Sequence, residues 1–252
     1  MSGDDSVFPQ KPIKNGLGSA GVLGLLLGSP CAHAESQDVN WLGIVYVWGS
    51  GITIDAADQS VGIDFKDLVD DLEIAFMGHV EAQGDKLGGF VDVVYVGVGS
   101  DESRPNVDLN TNNDTTSMDL AVVWSPGPEP FTGLETYAGL RYVGNDFKLV
   151  VDPVPPALPT LEGGIDKSYY DALLGVRYIM PLSDSWRLTF QGDLSFGDTE
   201  GTFSLGAYAG YLVGQHHFIV GYKHYELDLE TGNDGELGVV MTGLLLAYGY
   251  SF

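Results

Sequence analysis

The 252-residue chain carries 35 acidic and 11 basic residues, a formal net charge of −24. Nucleic acid is therefore excluded as an expected partner, because phosphate binding requires clustered lysines and arginines. Mean hydropathy is +0.06, and no run reaches the roughly 20 apolar residues of a membrane-spanning helix. Mean hydropathy does not detect membrane-spanning β-strands, because their apolar and polar residues alternate. The 35 glycines, 13 tyrosines and 11 phenylalanines favour that class, since hairpins need glycine and membrane interfaces need aromatic rings.

The N-terminal segment has the three parts of a secretory signal peptide. Two lysines precede an apolar run over residues 17–27, and Ala32-His33-Ala34 supplies the small residues that a signal peptidase recognises. We expect cleavage after Ala34, so residues 1–34 form the signal peptide and residues 35–252 the mature domain. A short buried helix is the alternative, because hydropathy alone does not separate the two. The single cysteine, Cys31, lies in the segment to be removed, so no disulfide is expected in the mature chain.

From Asn40 onward the chain divides into segments of about ten to fifteen residues in which apolar and polar residues alternate. The clearest segment is 186–196, where Trp186 and Phe190 fall on one face and the polar Gln191 on the other. The same alternation returns along the chain to the C-terminus. It predicts an all-β fold, a closed antiparallel up-and-down transmembrane β-barrel of about ten strands, with eight or twelve as alternatives.

The connections between these segments alternate in length. Short connections fall near residues 83–86, 125–130, 181–185 and 214–216, and long ones over 50–71, 100–115 and 151–166. Transmembrane barrels have short periplasmic turns and long external loops. We therefore expect both termini in the periplasm and long, acidic loops outside the cell. Residues 64–72 carry apolar side chains at helical spacing, which predicts a short amphipathic helix in the first long loop.

The last strand ends on an aromatic residue that follows apolar residues at every second position. Tyr248, Tyr250 and Phe252 share one face, and this pattern resembles the C-terminal assembly signal of outer-membrane barrels. A Gly-x-Arg-Tyr motif stands at residues 139–142 and 175–178, with the looser Gly221-Tyr222-Lys223-His224 further on. Together these features resemble the broad opacity-protein/OmpA-like superfamily of outer-membrane barrels. The resemblance implies the bacterial outer membrane as location and, as partners, outer-membrane lipids and the barrel-assembly machinery; it implies no functional residues.

The predicted inward faces carry charged residues. A barrel this narrow is filled by its own side chains, and buried charges are unfavourable unless they are paired. We expect a structural charge network in the lumen, with an ion-conducting path as the alternative. Because carboxylates outnumber cations, such a path would prefer cations. The residues are Glu73, Glu81, Asp92, Asp119, Glu135, Arg141, Asp171, Arg177, Arg187, Asp193 and Lys223.

Two patterns suggest catalysis or metal binding. His224 and Glu226 face the same way near the outer end, as a base and its orienting carboxylate would, but no nucleophile motif accompanies them. Residues 108–114 alternate oxygen ligands as in a calcium loop, yet Asn113 stands where that loop requires glycine. We therefore predict no catalytic residue, no metal site and no cofactor.

The leading functional prediction is an outer-membrane barrel with a structural or small-pore role, which would pass small cationic solutes or divalent cations if the lumen is open. Adhesion or ligand binding through the long acidic loops is the alternative. A barrel lipid hydrolase or protease is the third hypothesis.

Overall fold

A computed structural model describes residues 39–56, 59–63, 72–104, 107–127, 129–153, 160–231 and 235–252. The predicted signal peptide and residues 64–71 of the predicted helix lie outside these ranges. The described residues form eleven strands: β1 Asn40–Ala56, β2 Gln59–Ile63, β3 Leu72–Gln83, β4 Leu87–Arg104, β5 Val107–Trp124, β6 Gly133–Pro153, β7 Leu161–Pro181, β8 Trp186–Gly197, β9 Gly201–Val213, β10 His216–Thr231 and β11 Gly235–Ser251. Within them there is no helix long and apolar enough to cross a bilayer.

The strands close into an antiparallel barrel. β3 to β11 pair in chain order, and β11 returns to pair with β1 from Leu42↔Ser251 to Ala56↔Leu237. On its other side β1 pairs with β3 over its first residues and with the short β2 over its last. Since β2 and β3 share one position beside β1, the eleven strands form a wall of ten positions. The prediction of a closed antiparallel barrel of about ten strands is confirmed.

Both described termini and the connections after β3, β5, β7 and β9 lie at one end of the barrel, which we call the turn end. The connection between β9 and β10 is two residues long, and Gly214 adopts a φ of 61° there. A tight hairpin needs this left-handed conformation, which glycine adopts without strain. The opposite end is called the outer end.

The prediction of long loops over 100–115 and 151–166 is wrong for most of their length. β4 and β5 extend to Arg104 and from Val107, and β6 and β7 extend to Pro153 and from Leu161. The 21 residues of β6 measure roughly 70 Å along the strand, whereas about ten residues suffice to cross a membrane. Hydrogen bonding to the neighbouring strand outweighs the weak strand preference of Asn and Asp here. The calcium-like residues 108–114 are consequently extended in β5.

The wall is uneven in height at the outer end. β6 and β7 have 21 residues each, whereas β8 and β9 have 12 and 13. One flank of the barrel therefore rises far above the other.

Two of the three glycines of the repeated motif lie where tyrosine rings cover the inner wall, and the third, Gly139, lies against the backbone of Leu120. A Cβ on Gly175 would stand 2.1 Å from the ring of Tyr137, its register partner on β6. A Cβ on Gly221 would stand 2.3 Å from the ring of Tyr208, its partner on β9. The missing side chain makes room for a ring inside the barrel, so the motif is explained by packing.

Candidate functional site in the barrel lumen

Arg177 binds two carboxylates in the half of the lumen nearer the turn end. Its guanidinium donates to both oxygens of Glu81 on β3, at 2.7 and 3.0 Å, and to Glu135 on β6 at 2.7 Å. Both carboxylates are almost fully buried, at 1% and 0% exposure. The Gln83 amide also donates to each of them, at 2.7 and 2.9 Å. Three strands separate β3 from β7 in the wall, so this cluster spans the lumen.

His79 extends the Arg177 cluster toward β1. Its Nε2 lies 3.1 Å from Glu81 and its Nδ1 lies 3.2 Å from Asp92. The Tyr46 hydroxyl donates to the other oxygen of Asp92 at 2.8 Å. Because ionised carboxylates only accept hydrogen bonds, both ring nitrogens act as donors, as they do in an imidazolium. The polar chain thus runs continuously from β1 to β7.

Arg141 forms a second cluster nearer the outer end. Its guanidinium donates to both oxygens of Asp119 at 2.7 and 2.8 Å, to Asp193 at 3.0 Å and to the Thr202 hydroxyl at 2.6 Å. The Tyr137 hydroxyl donates to Asp193 at 3.2 Å. β6 carries Arg141, while Asp193 and Thr202 lie on β8 and β9, beyond β7. These contacts also pass through the interior.

Asp171 holds the short β8–β9 connection in place. Its carboxylate accepts from the Ser195 hydroxyl at 2.7 Å and from the backbone N–H and hydroxyl of Thr199 at 3.0 and 2.5 Å. The buried carboxylate therefore fixes the connection between the two short strands β8 and β9.

Lys223 lies among aromatic rings. Its Nζ is 5.1 Å from the ring centre of Trp48 and 6.0 Å from that of Tyr225, within the range of cation–π attraction. Val143 and Leu227 are buried against Tyr225 and form an apolar layer in the outer half of the lumen. Contacts between strands that are not neighbours thus cross the interior at several heights.

Two of the predicted lumen residues do not join these clusters. Arg187 lies half-buried near the turn end, and Glu73 is on β3 with its side chain outside the described part of the structure. The structure brings the other nine inside the barrel, with Lys223 against rings. Sequence reasoning missed His79, Gln83, Tyr46 and Tyr137 as members, although alternation places each of them on an inward face.

The histidine pair at the start of β10 lies at the turn-end rim. His216 Nδ1 is 2.8 Å from the Tyr248 hydroxyl, and His217 Nε2 is 2.5 Å from the Ser251 hydroxyl. Burial, followed by the nearby Arg187 and His216 charges, lowers the pKa of His217 below its usual value. Within the described ranges, no group of three or more His, Cys, Asp or Glu residues is placed to hold a metal ion.

The outward faces of the strands form a belt of exposed apolar side chains. On β5 and β6, for example, Leu120, Val122 and Leu140 are 53–61% exposed. The β6 belt runs from Leu134 to Tyr142, roughly 30 Å along the strand and about 23 Å along the axis of a tilted barrel, which matches a bilayer core. A closed sheet with a polar interior and this exterior places lipid outside. The protein is a transmembrane β-barrel.

Aromatic side chains border the apolar belt of the barrel on both sides. Near the turn end, Trp186 packs on Tyr211 with ring centres 5.0 Å apart, and Trp41 stacks on Phe252 at 6.2 Å. Nearer the outer end, Tyr142 packs on Tyr170 at 5.2 Å. Such girdles are typical of barrels of the outer-membrane type, the class that the sequence predicts.

No protein-family model matches the sequence of the barrel, and a search of curated proteins found no match. Several solved structures are similar in fold, among them the following three. The outer membrane protease OmpT from Escherichia coli is 11% identical, with 86% of this chain and 98% of that chain covered and a TM-score of 0.46. The translocator domain of the autotransporter NalP from Neisseria meningitidis is 12% identical, with coverages of 87% and 90% and a TM-score of 0.38. The attachment invasion locus protein Ail of Yersinia pestis is 10% identical, with coverages of 85% and 98% and a TM-score of 0.36.

Proposed function

We propose that this barrel is a structural protein of the Gram-negative outer membrane that does not conduct ions. The observation that supports the proposal is the contact of Arg177 with Glu81 across the lumen, reinforced by Glu135 on the neighbouring strand. With both termini in the periplasm, the tall strands β4 to β7 project from the cell. The predicted signal peptide would deliver the chain, and the mass of the mature protein, beginning at Glu35, tests that step.

Opening the lumen requires Arg177 to leave two buried carboxylates. Separating this buried ion pair leaves both carboxylates without their charged partner, which is unfavourable. The small-pore alternative would need a path around both arginine clusters.

Planar-bilayer recording of the purified mature barrel tests the structural proposal. We expect no steady conductance from the wild type. Replacing both clusters by small side chains, in Glu81→Ala/Glu135→Ala/Arg177→Ala combined with Asp119→Ala/Arg141→Ala/Asp193→Ala, should produce a conductance that prefers cations, because Asp92 and Asp171 remain. Arg187→Ala removes a cation outside the clusters and should stay silent. A steady cation current through the wild type would replace the structural role with the small-pore role.

The outer flank supports a second candidate function, the binding of cationic partners at the cell surface. Asp114, Asp146 and Asp166 are register partners across β5, β6 and β7 and point outward above the apolar belt. The Lys148 Nζ lies 2.9 Å from Asp146. Like charges directly opposite one another destabilise a sheet. Divalent cations or a basic surface would reduce this repulsion because the negative potential of the flank attracts them, without a specific coordination site.

Thermal unfolding with and without Mg²⁺ tests the binding of cations. Magnesium should raise the Tm of the wild type, and 0.5 M KCl should abolish the rise, because exposed charges are screened within a few ångströms at high salt. Asp114→Asn/Asp166→Asn should lose most of the magnesium effect. Asp85→Asn/Asp184→Asn removes the same charge at the turn end and should keep it. Equal magnesium shifts in both variants would exclude the flank as the binding surface.

A further inference from the structure

Thr242, His224 and Glu226 form a hydrogen-bonded chain on the outward face of the wall. His224 Nδ1 lies 2.6 Å from Thr242 Oγ1, and Nε2 lies 2.9 Å from Glu226 Oε1. Thr242 is the register partner of His224 across β10 and β11, and Glu226 follows two residues later on the same face. A hydroxyl and a carboxylate joined through the two nitrogens of one imidazole is the arrangement of a catalytic triad.

The three side chains lie where the apolar belt ends near the outer end. Toward the turn end their faces carry Tyr222 and Leu244, which are 54% and 62% exposed. Glu226 is the register partner of Phe203, two residues from the short β8–β9 connection. This is the low side of the wall, so the group lies near the boundary between acyl chains and headgroups. The ester carbonyls of membrane lipids are found at that boundary.

Thr242 is half-buried on the lipid-facing side of the wall. His224 lies on one side of it, and on the other its register partner is Gly51, which has no side chain. The side chains of His224 and Glu226 remain 30% and 45% exposed in the isolated protein. An ester group in the adjacent leaflet can therefore approach the hydroxyl without leaving the bilayer.

We propose that Thr242, His224 and Glu226 hydrolyse acyl esters of outer-leaflet lipids. Thr242 Oγ1 forms a bond to the ester carbonyl carbon while His224 Nδ1 takes its proton. The bond from that carbon to the alcohol oxygen of the lipid then breaks, and the leaving oxygen takes the proton from His224. Water, deprotonated by His224, attacks the acyl-threonine ester, which releases a fatty acid and restores the hydroxyl. Glu226 is a positioning residue that orients the ring and stabilises its positive charge.

The activity goes beyond the structural role and does not depend on whether the lumen is closed, because the group faces lipid. A polar pair that merely ends the apolar belt would make the same hydrogen bonds without turnover. His216 provides a matched comparison, since it is also bonded to a hydroxyl, that of Tyr248, at the other edge of the belt.

The test uses the mature barrel in two kinds of vesicle, one of phosphatidylethanolamine and phosphatidylglycerol and one containing lipopolysaccharide, with fatty acid release followed by mass spectrometry. Release in one arm identifies the source of the acyl ester. Thr242→Ala and His224→Ala should reduce release at least about 100-fold, whereas Thr242→Ser and His216→Ala should retain it. Glu226→Gln should lower kcat with little change in KM, as expected for a group that acts on the transition state.

A fluorophosphonate probe provides a second measurement, which should label Thr242 in the wild type and not in His224→Ala. Folding of each variant is checked by its heat-dependent migration on a gel. The proposal is overturned if folded wild type releases no fatty acid in either arm and takes no label, or if Thr242→Ala turns over as fast as the wild type.

Discussion

Replacing Arg177 by methionine should strongly destabilise the barrel. Methionine keeps most of the aliphatic volume but removes the charge that Glu81 and Glu135 share. Because both carboxylates are at most 1% exposed, neither can turn to water in place of the guanidinium. Removing one partner of a buried pair costs about 3–5 kcal/mol, and we expect the loss of unfolding free energy to fall in this range. His79 remains 3.1 Å from Glu81, but Glu135 keeps only the amide of Gln83, which is too weak a donor to replace the charge.

Reversible urea unfolding in phospholipid vesicles, followed by tryptophan fluorescence, measures this loss. Arg187→Met removes a half-buried arginine outside the clusters and should cost less than about 1 kcal/mol. Arg177→Met/Glu81→Gln/Glu135→Gln leaves no buried charge without a partner and should recover most of the stability. The reasoning is refuted if Arg177→Met costs under about 1 kcal/mol, or if the triple variant is no more stable than the single one.

Three further predictions concern other parts of the wall. Gly175→Val should lower the free energy of unfolding by about 1–3 kcal/mol because its Cβ would overlap a tyrosine ring. Gly43→Val, with nothing within 4 Å of its Cβ, should fold normally when both variants are compared by heat-dependent migration on a gel. Deleting Phe252 removes two backbone hydrogen bonds and a stacked ring at the β1–β11 closure, roughly 2–4 kcal/mol together, and should reduce the folded yield in outer membranes, while normal yield would contradict the assembly signal. His217 should titrate below pH 6.5 when followed by NMR, because burial lowers its pKa. Acidification from pH 6.5 to this lowered pKa should destabilise the fold, since the unfolded chain binds a proton at His217 before the folded barrel does. A titration midpoint at the ordinary histidine pKa would contradict this.

The closed barrel could be predicted because each strand, within the membrane, has lipid on one face and the polar interior on the other. In the membrane, residues such as Leu120 and Leu140 must alternate with polar neighbours, and this alternation sets the face of every residue. Above the membrane both faces meet water, so the constraint disappears. The polar stretch 107–116 therefore has no strand signal of its own. Its structure comes from pairing with β4 and β6, which local sequence does not encode.

The lumen clusters could be predicted as a set of inward charges but not as particular contacts. Alternation gives the face of a residue, whereas its height depends on register. Glu135 is the register partner of Arg177, while Glu81 reaches the same guanidinium from across the lumen. Strand stagger and closure decide that second contact, and neither is visible in a single sequence.

The hydrogen-bonded group of Thr242, His224 and Glu226 shows the same limit. The sequence places His224 and Glu226 on one face, but no nucleophile motif stands near them in the chain. Thr242 lies eighteen positions away and becomes a neighbour only through the register of β10 and β11. A hydroxyl that comes from the adjacent strand leaves no short motif in the sequence around His224.

The span of the Arg177–Glu81 contact has a kinetic consequence. The two residues are 96 positions apart, so we expect their bond to form late, after the five strands from β3 to β7 have come together. An interaction absent from the folding transition state leaves the folding rate nearly unchanged and slows unfolding. Once inserted, this protein should therefore persist in its native state chiefly because escape from it is slow.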